Sequence, residues 1–370
     1  MSSLFDYLNW RGDLSFSHAP INEVDGMIFS LLSYIDFRGI ASHTHENSRS
    51  IPLRSAVNAY FSKNPDPKRI SLGLMVPKSI LRLLREVKET ARFRNVGIKA
   101  HVNLLDVKKE MQFSATTFLL ETGETVVAFR GTDDTIVGWK ENFNMSFMEV
   151  VPAQQESVEY LEQAALHAEG DLYTAGHSKG GNLAVYSAAR SRESIQDRIA
   201  HVWSYDGPGF FSKMLEDPSY IRIRPCISTL LPQSSVVGLL LEHEEHYTVV
   251  KSRQRGLMQH DGLTWEVNGT SFVHLQHVTG ETQRIDPALN RLLHSMTLAQ
   301  REEFTEAIYQ LLSVDNALTL TDLVSMRRKW IANGRKVDPK VYRTIRDTLT
   351  ALINLSAKSF IDEVLPRRKS

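Results

Sequence analysis

The spacing of apolar and polar positions changes twice along the chain. In the first hundred residues it is helical. Met27, Ile28, Leu31, Leu32 and Ile35 form one stripe, with Asn22 or Asp25 placed to cap it. Ile80, Leu81, Leu83, Leu84 and Val87 form another, opened by Pro77. Between the two stripes, Ser62-Lys63-Asn64-Pro65-Asp66-Pro67 is a cluster of helix breakers. From about residue 98 the period shortens to that of strands. Ile98–Leu104 alternates, and Phe113–Leu120 and Thr125–Phe129 flank a hairpin turn, Glu121-Thr122-Gly123-Glu124. Helices and strands then alternate. Ser157–His167 and Leu183–Arg190 read as helices. Leu172–Ala175, Val202–Tyr205, Ile227–Leu231, Tyr247–Lys251 and Leu263–Val267 read as strands.

That alternation predicts a mainly parallel sheet with helices on both faces, carrying antiparallel strands at one edge. Past about residue 285 the strand signal stops. Thr297 and Gln300 make a capping box, and Phe304, Ile308, Leu311 and Leu312 follow at helical spacing. Leu323, Met326 and Trp330 suggest another helix, and Ile345, Leu349, Leu352 and Ile353 a third. The expected organisation is a mainly helical segment (1–95) packed on the core, an α/β core (96–285) and a C-terminal helical extension (286–370).

Composition narrows the function classes. The 370 residues carry 43 Lys+Arg against 43 Asp+Glu, so there is no basic excess for a nucleic-acid partner, and the Arg367-Arg368-Lys369 tail reads as a solvated end. The one cysteine, Cys226, excludes an intramolecular disulfide framework and a cysteine-based zinc cluster. The N-terminus lacks a basic region followed by an apolar run, and no apolar run approaches the roughly 20 residues of a membrane span. The expectation is a cytoplasmic protein with no transmembrane segment.

The strongest chemical signal is Ala175-Gly176-His177-Ser178-Lys179-Gly180-Gly181, which holds Gly-x-Ser-x-Gly between an apolar strand and an Ala-rich helix. A serine on so sharp a strand-to-helix turn has its hydroxyl pushed into open space. The glycines two before and two after it avoid collisions with neighbouring backbone. The backbone N–H of Lys179, at the helix N-terminus, then points at a bound carbonyl oxygen. The second signal is Phe129-Arg130-Gly131-Thr132, a strand running into a small polar turn. In hydrolases with this elbow a loop after an earlier strand supplies the second oxyanion donor, here Thr132 through its N–H and hydroxyl.

Phe-Arg-Gly-Thr followed by Gly-His-Ser-x-Gly-Gly resembles the class 3 lipases, a branch of the α/β-hydrolases. The chain is still more similar to an uncharacterised bacterial lipase-like family catalogued as a domain of unknown function. Further stretches extend the resemblance over roughly residues 5–315: Trp10-Arg11-Gly12-Asp13-Leu14-Ser15-Phe16, Asn22-Glu23-Val24-Asp25, Ser204-Tyr205-Asp206-Gly207-Pro208-Gly209-Phe210, Pro232–Gly238 and Gln259-His260-Asp261. The resemblance implies an α/β-hydrolase fold, Ser178 as nucleophile and Thr132 as oxyanion residue.

A serine needs a base, and in this fold class the order is Ser, acid, His. His260 is the best candidate, in a loop between two strand-like segments near the end of the sheet region. His177 flanks the nucleophile and helps shape the pocket. His243 and His246 lack metal-site spacing and read as a solvated charge cluster. His43 and His45 read as solvated loop residues. For the acid, the chain departs from class 3 lipases, whose Asp precedes a Val-Pro pattern. The corresponding Leu231-Pro232-Gln233-Ser234-Ser235-Val236 has no carboxylate. Asp206, at the C-terminal end of a parallel strand, is the first choice to orient His260. Glu242 is the other, and Asp206 could instead be a turn residue.

The expected activity is hydrolysis of a carboxylic ester, with a small-molecule or lipid ester as substrate and no metal or organic cofactor implied. A thioesterase or amidase with the same machinery, or a hydrolase-shaped binding module of weak activity, are the alternatives.

Overall fold

Alternation along Val126-Val127-Ala128-Phe129 settles how the sheet is covered. Val126 and Ala128 face one apolar layer, and Val127 and Phe129 face the other. A strand buried on both sides requires helices on both sides. In the computed structural model, described for residues 2–66, 70, 72, 76–235, 237–238, 241, 243, 247–276, 296–312, 317–319 and 321–322, both layers are present.

The elements in chain order are α1 (Leu4–Arg11), α2 (Glu23–Leu32), β1 (Ile51–Pro52), α3 (Leu53–Lys63), α4 (Ser79–Val87), β2 (Gly97–Asp106), β3 (Met111–Leu119), β4 (Thr125–Phe129), α5 (Ile136–Asn144) and α6 (Pro152–Leu166). There follow β5 (Leu172–His177), α7 (Lys179–Arg190), α8 (Glu193–Gln196), β6 (Ile199–Tyr205), α9 (Ser212–Leu215), α10 (Pro218–Ile223), β7 (Ile227–Pro232) and β8 (Tyr247–Val250). The last are β9 (Val267–Asn268), β10 (Ser271–Phe272), β11 (His274–Leu275) and α11 (Leu298–Leu312).

The main sheet runs β1-β2-β3-β4-β5-β6-β7-β8-β11. Neighbours from β4 to β8 are parallel, and β1–β4 and β8/β11 are antiparallel. This order, with its strand–turn–helix at Ser178, is the α/β-hydrolase fold expected from the sequence.

Residues of α1, α2, α3 and α4 share one buried cluster with Val126, Ala128, Ala175, Trp203 and Tyr205 of the sheet. Phe29 of α2 sits 4.9 Å, centroid to centroid, from Phe118 of β3 and 5.4 Å from Phe93. Asn22 caps α2 by accepting from the Val24 and Asp25 amides, and the Asp25 carboxylate accepts from the Asn22 amide. The same carboxylate also accepts from Arg92 and Tyr7. Arg92 and Asp25 pair at 2.5 Å with both side chains fully buried, and Tyr7 donates to the same carboxylate at 2.7 Å. Arg92 also donates to the Leu14, Ala19 and Pro20 carbonyls, so its buried charge is fully engaged. The opposite layer is α6, α7 and α10. Among the described residues no helix is long and apolar enough to cross a membrane.

Three expectations change. Leu263–Val267 is not a strand. Asp261 accepts from the Leu263 amide and starts a 3-10 turn over Gly262–Thr264, leaving only Val267 in the two-stranded β9/β10 ribbon. The main sheet closes with β11 instead. Helices α3 and α5 were not expected, and the breaker cluster takes effect only at Asn64, after α3 ends. The Thr297/Gln300 capping box forms and opens α11. The helices expected around Leu323–Trp330 and Ile345–Ile353, and the basic tail, lie outside the described residues.

Candidate active site

Ser178 joins β5 to α7 with φ 60° and ψ −133°, a conformation that costs a non-glycine residue roughly 1–3 kcal/mol. Its amide is held by the Tyr205 carbonyl at 2.9 Å. The two flanking glycines are sterically required. A Cβ at Gly176 would run into the Gly180 carbonyl, and one at Gly180 into the Phe129 carbonyl. The turn is thus closed tightly against β4, and the serine side chain remains partly exposed at its apex.

Asp206 follows the last residue of β6, the neighbour of β5, with φ 50°. Its carboxylate is buried. One oxygen accepts from the Ser235 hydroxyl and from the Gly238 amide at 3.1 Å. The other lies 2.5 Å from His260 Nδ1. Burial works against the charge of this carboxyl, but the facing His260 ring and the Ser235 hydroxyl outweigh it and hold the pKa below the usual value. Asp206 thus bonds the His260 ring as well as the loop that follows β7. Asp261, the other acid beside His260, spends its side chain on the Leu263 amide, and burial pushes its pKa up. Glu242 lies outside the described residues.

His260 ends a 3-10 turn, Gly256–His260, and is about a quarter exposed. Among the described residues no hydrogen bond joins its ring to the Ser178 hydroxyl. The ring packs against that of His177, the neighbour of Ser178, with centroids 4.5 Å apart and planes tilted by 40°.

Thr132 follows Gly131, where a Cβ would lie 3.0 Å from Ser178 Cβ, so this turn and the elbow are in contact. The Thr132 hydroxyl donates to Asn142 Oδ1 on α5 at 2.8 Å. Lys179 is the first residue of α7, so its backbone N–H lies outside the helical ladder. Its ammonium turns away from the site, into the protein, where it donates to Gln112 O (2.6 Å), Gln112 Oε1 (2.8 Å) and Glu141 Oε2 (2.8 Å).

Two histidines expected in solvent are not there. His45 is buried and bonds Thr117 at 2.8 Å, and His243 is half-buried, 2.6 Å from the Gly238 carbonyl. His246 lies outside the described residues. Among the described residues no group of three or more His, Cys, Asp or Glu side chains could hold a metal ion. Sequence reasoning missed Ser235, Gly238, Asn142 and Glu141, which hold the candidate residues. Of these only Ser235 and Gly238 carried a signal, as part of the Pro232–Gly238 stretch of the family resemblance.

With this geometry in place, a family model described as Mbeg1-like matches residues 87–310, more than half of the chain. The chain belongs to the Mbeg1-like family. The lipase-like family expected from the Phe129–Thr132 and Gly176–Gly181 motifs is thereby borne out. Among curated proteins none matches this Mbeg1-like chain. It is similar to a Rhizomucor miehei lipase in its propeptide complex, at 14% identity and a TM-score of 0.32, covering 42% of this chain and 57% of that one. It is similar to a triacylglycerol lipase from Penicillium expansum at 10% identity and 0.32, covering 49% and 74%. M37 lipase gives 14% and 0.36, covering 70% and 82%. The Mbeg1-like chain thus spans little more than half the length of the first of these lipases.

Proposed function

We propose that the chain is a serine hydrolase that cleaves carboxylic esters, small or lipid-like, through an acyl-enzyme. The observation that supports this most is the 2.5 Å contact of His260 Nδ1 with the buried Asp206 carboxylate, beside a serine on a strained elbow. A carboxylate can only accept there, so Nδ1 carries the hydrogen and Nε2 is left as the base.

Ser178 Oγ attacks the ester carbonyl while His260 Nε2 takes its proton. The carbonyl oxygen becomes an oxyanion, held by the backbone N–H groups of Thr132 and Lys179. The bond to the alkoxide leaving group breaks as His260 returns the proton to it, giving the free alcohol and acyl-Ser178. Water then attacks the acyl-enzyme by the same route and releases the carboxylic acid. Asp206 keeps the tautomer and stabilises the imidazolium formed in both halves. The Thr132 hydroxyl is engaged with Asn142, so the main donor from that residue is its N–H.

The test is hydrolysis of p-nitrophenyl esters of short and long acyl chains, with matched thioesters and anilides. Ester turnover lost in Ser178→Ala supports the reading. Turnover only of thioesters or anilides would move the substrate class, and ester turnover equal in wild type and Ser178→Ala would refute the nucleophile.

A further inference from the structure

Two side chains near the elbow have no part in that mechanism. Tyr34 lies two residues past the end of α2, in the N-terminal segment that the family match does not cover. Its hydroxyl is 3.1 Å from His177 Nδ1. On the other side of the same ring, His177 Nε2 is 2.6 Å from the backbone carbonyl oxygen of His260. A carbonyl only accepts, so Nε2 carries the hydrogen. In a neutral ring Nδ1 is then an acceptor, and Tyr34 must donate. One tautomer of His177 satisfies both neighbours, whereas the reverse tautomer could donate to the Tyr34 oxygen but would turn a lone pair on the His260 carbonyl.

The surroundings favour the neutral ring. His177 is buried and faces the His260 ring, and its pKa is pushed down to about 3, chiefly by burial and then by the His260 charge. Burial pushes the Tyr34 phenol up, so it keeps its proton. The phenol also packs on the turn that leads to Thr132, since a Cβ at Gly131 would strike Tyr34 Oη and approach the His177 carbonyl oxygen. Tyr34 thus touches the oxyanion turn directly and reaches the His260 backbone through one imidazole.

We propose that Tyr34 and His177 are positioning residues, the phenol anchoring the His177 ring through Nδ1 and His177 holding the His260 backbone through Nε2–H so that the His260 ring stands at Ser178. The N-terminal helical segment is then part of the active site, and the matched stretch alone lacks one of its supports. This rests on the reading of Ser178 and His260 as nucleophile and base. Loss of the phenol hydroxyl leaves His177 Nδ1 without its donor and frees the ring to tilt while the His260 carbonyl still selects Nε2–H. A tilted ring loosens its hold on the His260 backbone and lets the base move by a fraction of an ångström to about an ångström. A misplacement on this scale costs on the order of 10- to 100-fold in rate.

The experiment measures fluorophosphonate inactivation of the full chain, separating the maximal rate from probe affinity. It is paired with ¹⁵N NMR of labelled histidines to read tautomers. Tyr34→Phe keeps the packing and removes only the hydroxyl. The expected result is a maximal rate lower by about tenfold or more, unchanged probe affinity, an unchanged melting temperature to within a few degrees, and a His177 Nδ1 signal shifted to that of a ring nitrogen with no hydrogen-bond donor. His177→Gln, which keeps an amide donor near Nε2, is expected to retain more activity than His177→Leu. Should the His177 variants fail to fold, Tyr34→Phe and the NMR signal decide alone. A Tyr34→Phe protein labelled as fast as wild type, with an unshifted His177 Nδ1 signal, overturns the inference while leaving the hydrolase reading intact. A wild-type protein that is not labelled at Ser178 overturns the reading and the inference together.

Discussion

Lys179 Nζ lies 2.8 Å from Glu141 Oε2, and neither side chain reaches water. The residue after the nucleophile is thereby bolted to α5, the helix that carries Asn142 and so holds Thr132. Glu141 is otherwise saturated by the amides of Gln112 (3.1 Å) and Ala153 (2.9 Å). The pair therefore joins β3, α5, α6 and α7 at one point. Removing one partner strands a buried charge, a loss of about 3–5 kcal/mol. Lys179→Met should show that loss in urea unfolding, together with slower probe labelling. A stability change below about 1 kcal/mol would mean that water reaches the orphaned Glu141.

Asp206→Asn keeps the volume of the side chain but presents an amide to His260 Nδ1. The matching change in a protease triad lowers turnover by roughly 10⁴. A large drop in kcat is expected here, with KM little changed. Ser235→Ala, which removes one donor to Asp206, should cost less than Asp206→Asn. Glu242→Gln is the control, expected to be silent. If Asp206→Asn is silent while Glu242→Gln is not, the acid comes from the later loop.

Thr132→Val removes the hydroxyl and retains the N–H. Loss of a whole oxyanion donor costs on the order of 10²–10³ in kcat. Because the hydroxyl is engaged with Asn142, the expected loss is smaller, about tenfold. A loss of the full size would show that the hydroxyl leaves Asn142 and binds the oxyanion itself.

Stability should fall in mild acid. His45 and His177 are buried, and burial lowers their pKa to about 4 and about 3. Unfolded histidine titrates near 6.5. Between those values the unfolded chain binds the protons first, so the stability is complete above about pH 6.5 and is lost as pH falls toward 4. The urea midpoint should decline over that window, and His45→Gln should flatten part of the decline. A midpoint constant from pH 7 to 5 would show that these rings admit water.

The parts of this arrangement that were legible in the sequence have local causes. The elbow at Ser178 shows because backbone collisions dictate glycine at Gly176 and Gly180. Asp206 shows because the ends of parallel strands share one edge of the sheet. Helix α5 was not legible because, beyond Ile136 and Val137 in its first turn, its buried side chains are polar. Lys140, Glu141 and Asn144 point inward to partners on other elements, so no apolar stripe marks it. Residues Leu263, Trp265 and Val267 alternate like a strand, yet the Asp261 side chain turns the chain into a 3-10 turn first. Tyr34 gives no signal at all, since its role exists only once His177 and Gly131 are brought to it from distant strands.

Activation of Ser178 by His260 is open to intact mass spectrometry after fluorophosphonate treatment, followed by peptide mapping. A single adduct on Ser178 is expected in wild type, none in Ser178→Ala, and labelling at least about two orders of magnitude slower in His260→Ala. Equal labelling of wild type and His260→Ala, or an adduct that persists in Ser178→Ala, would contradict that activation.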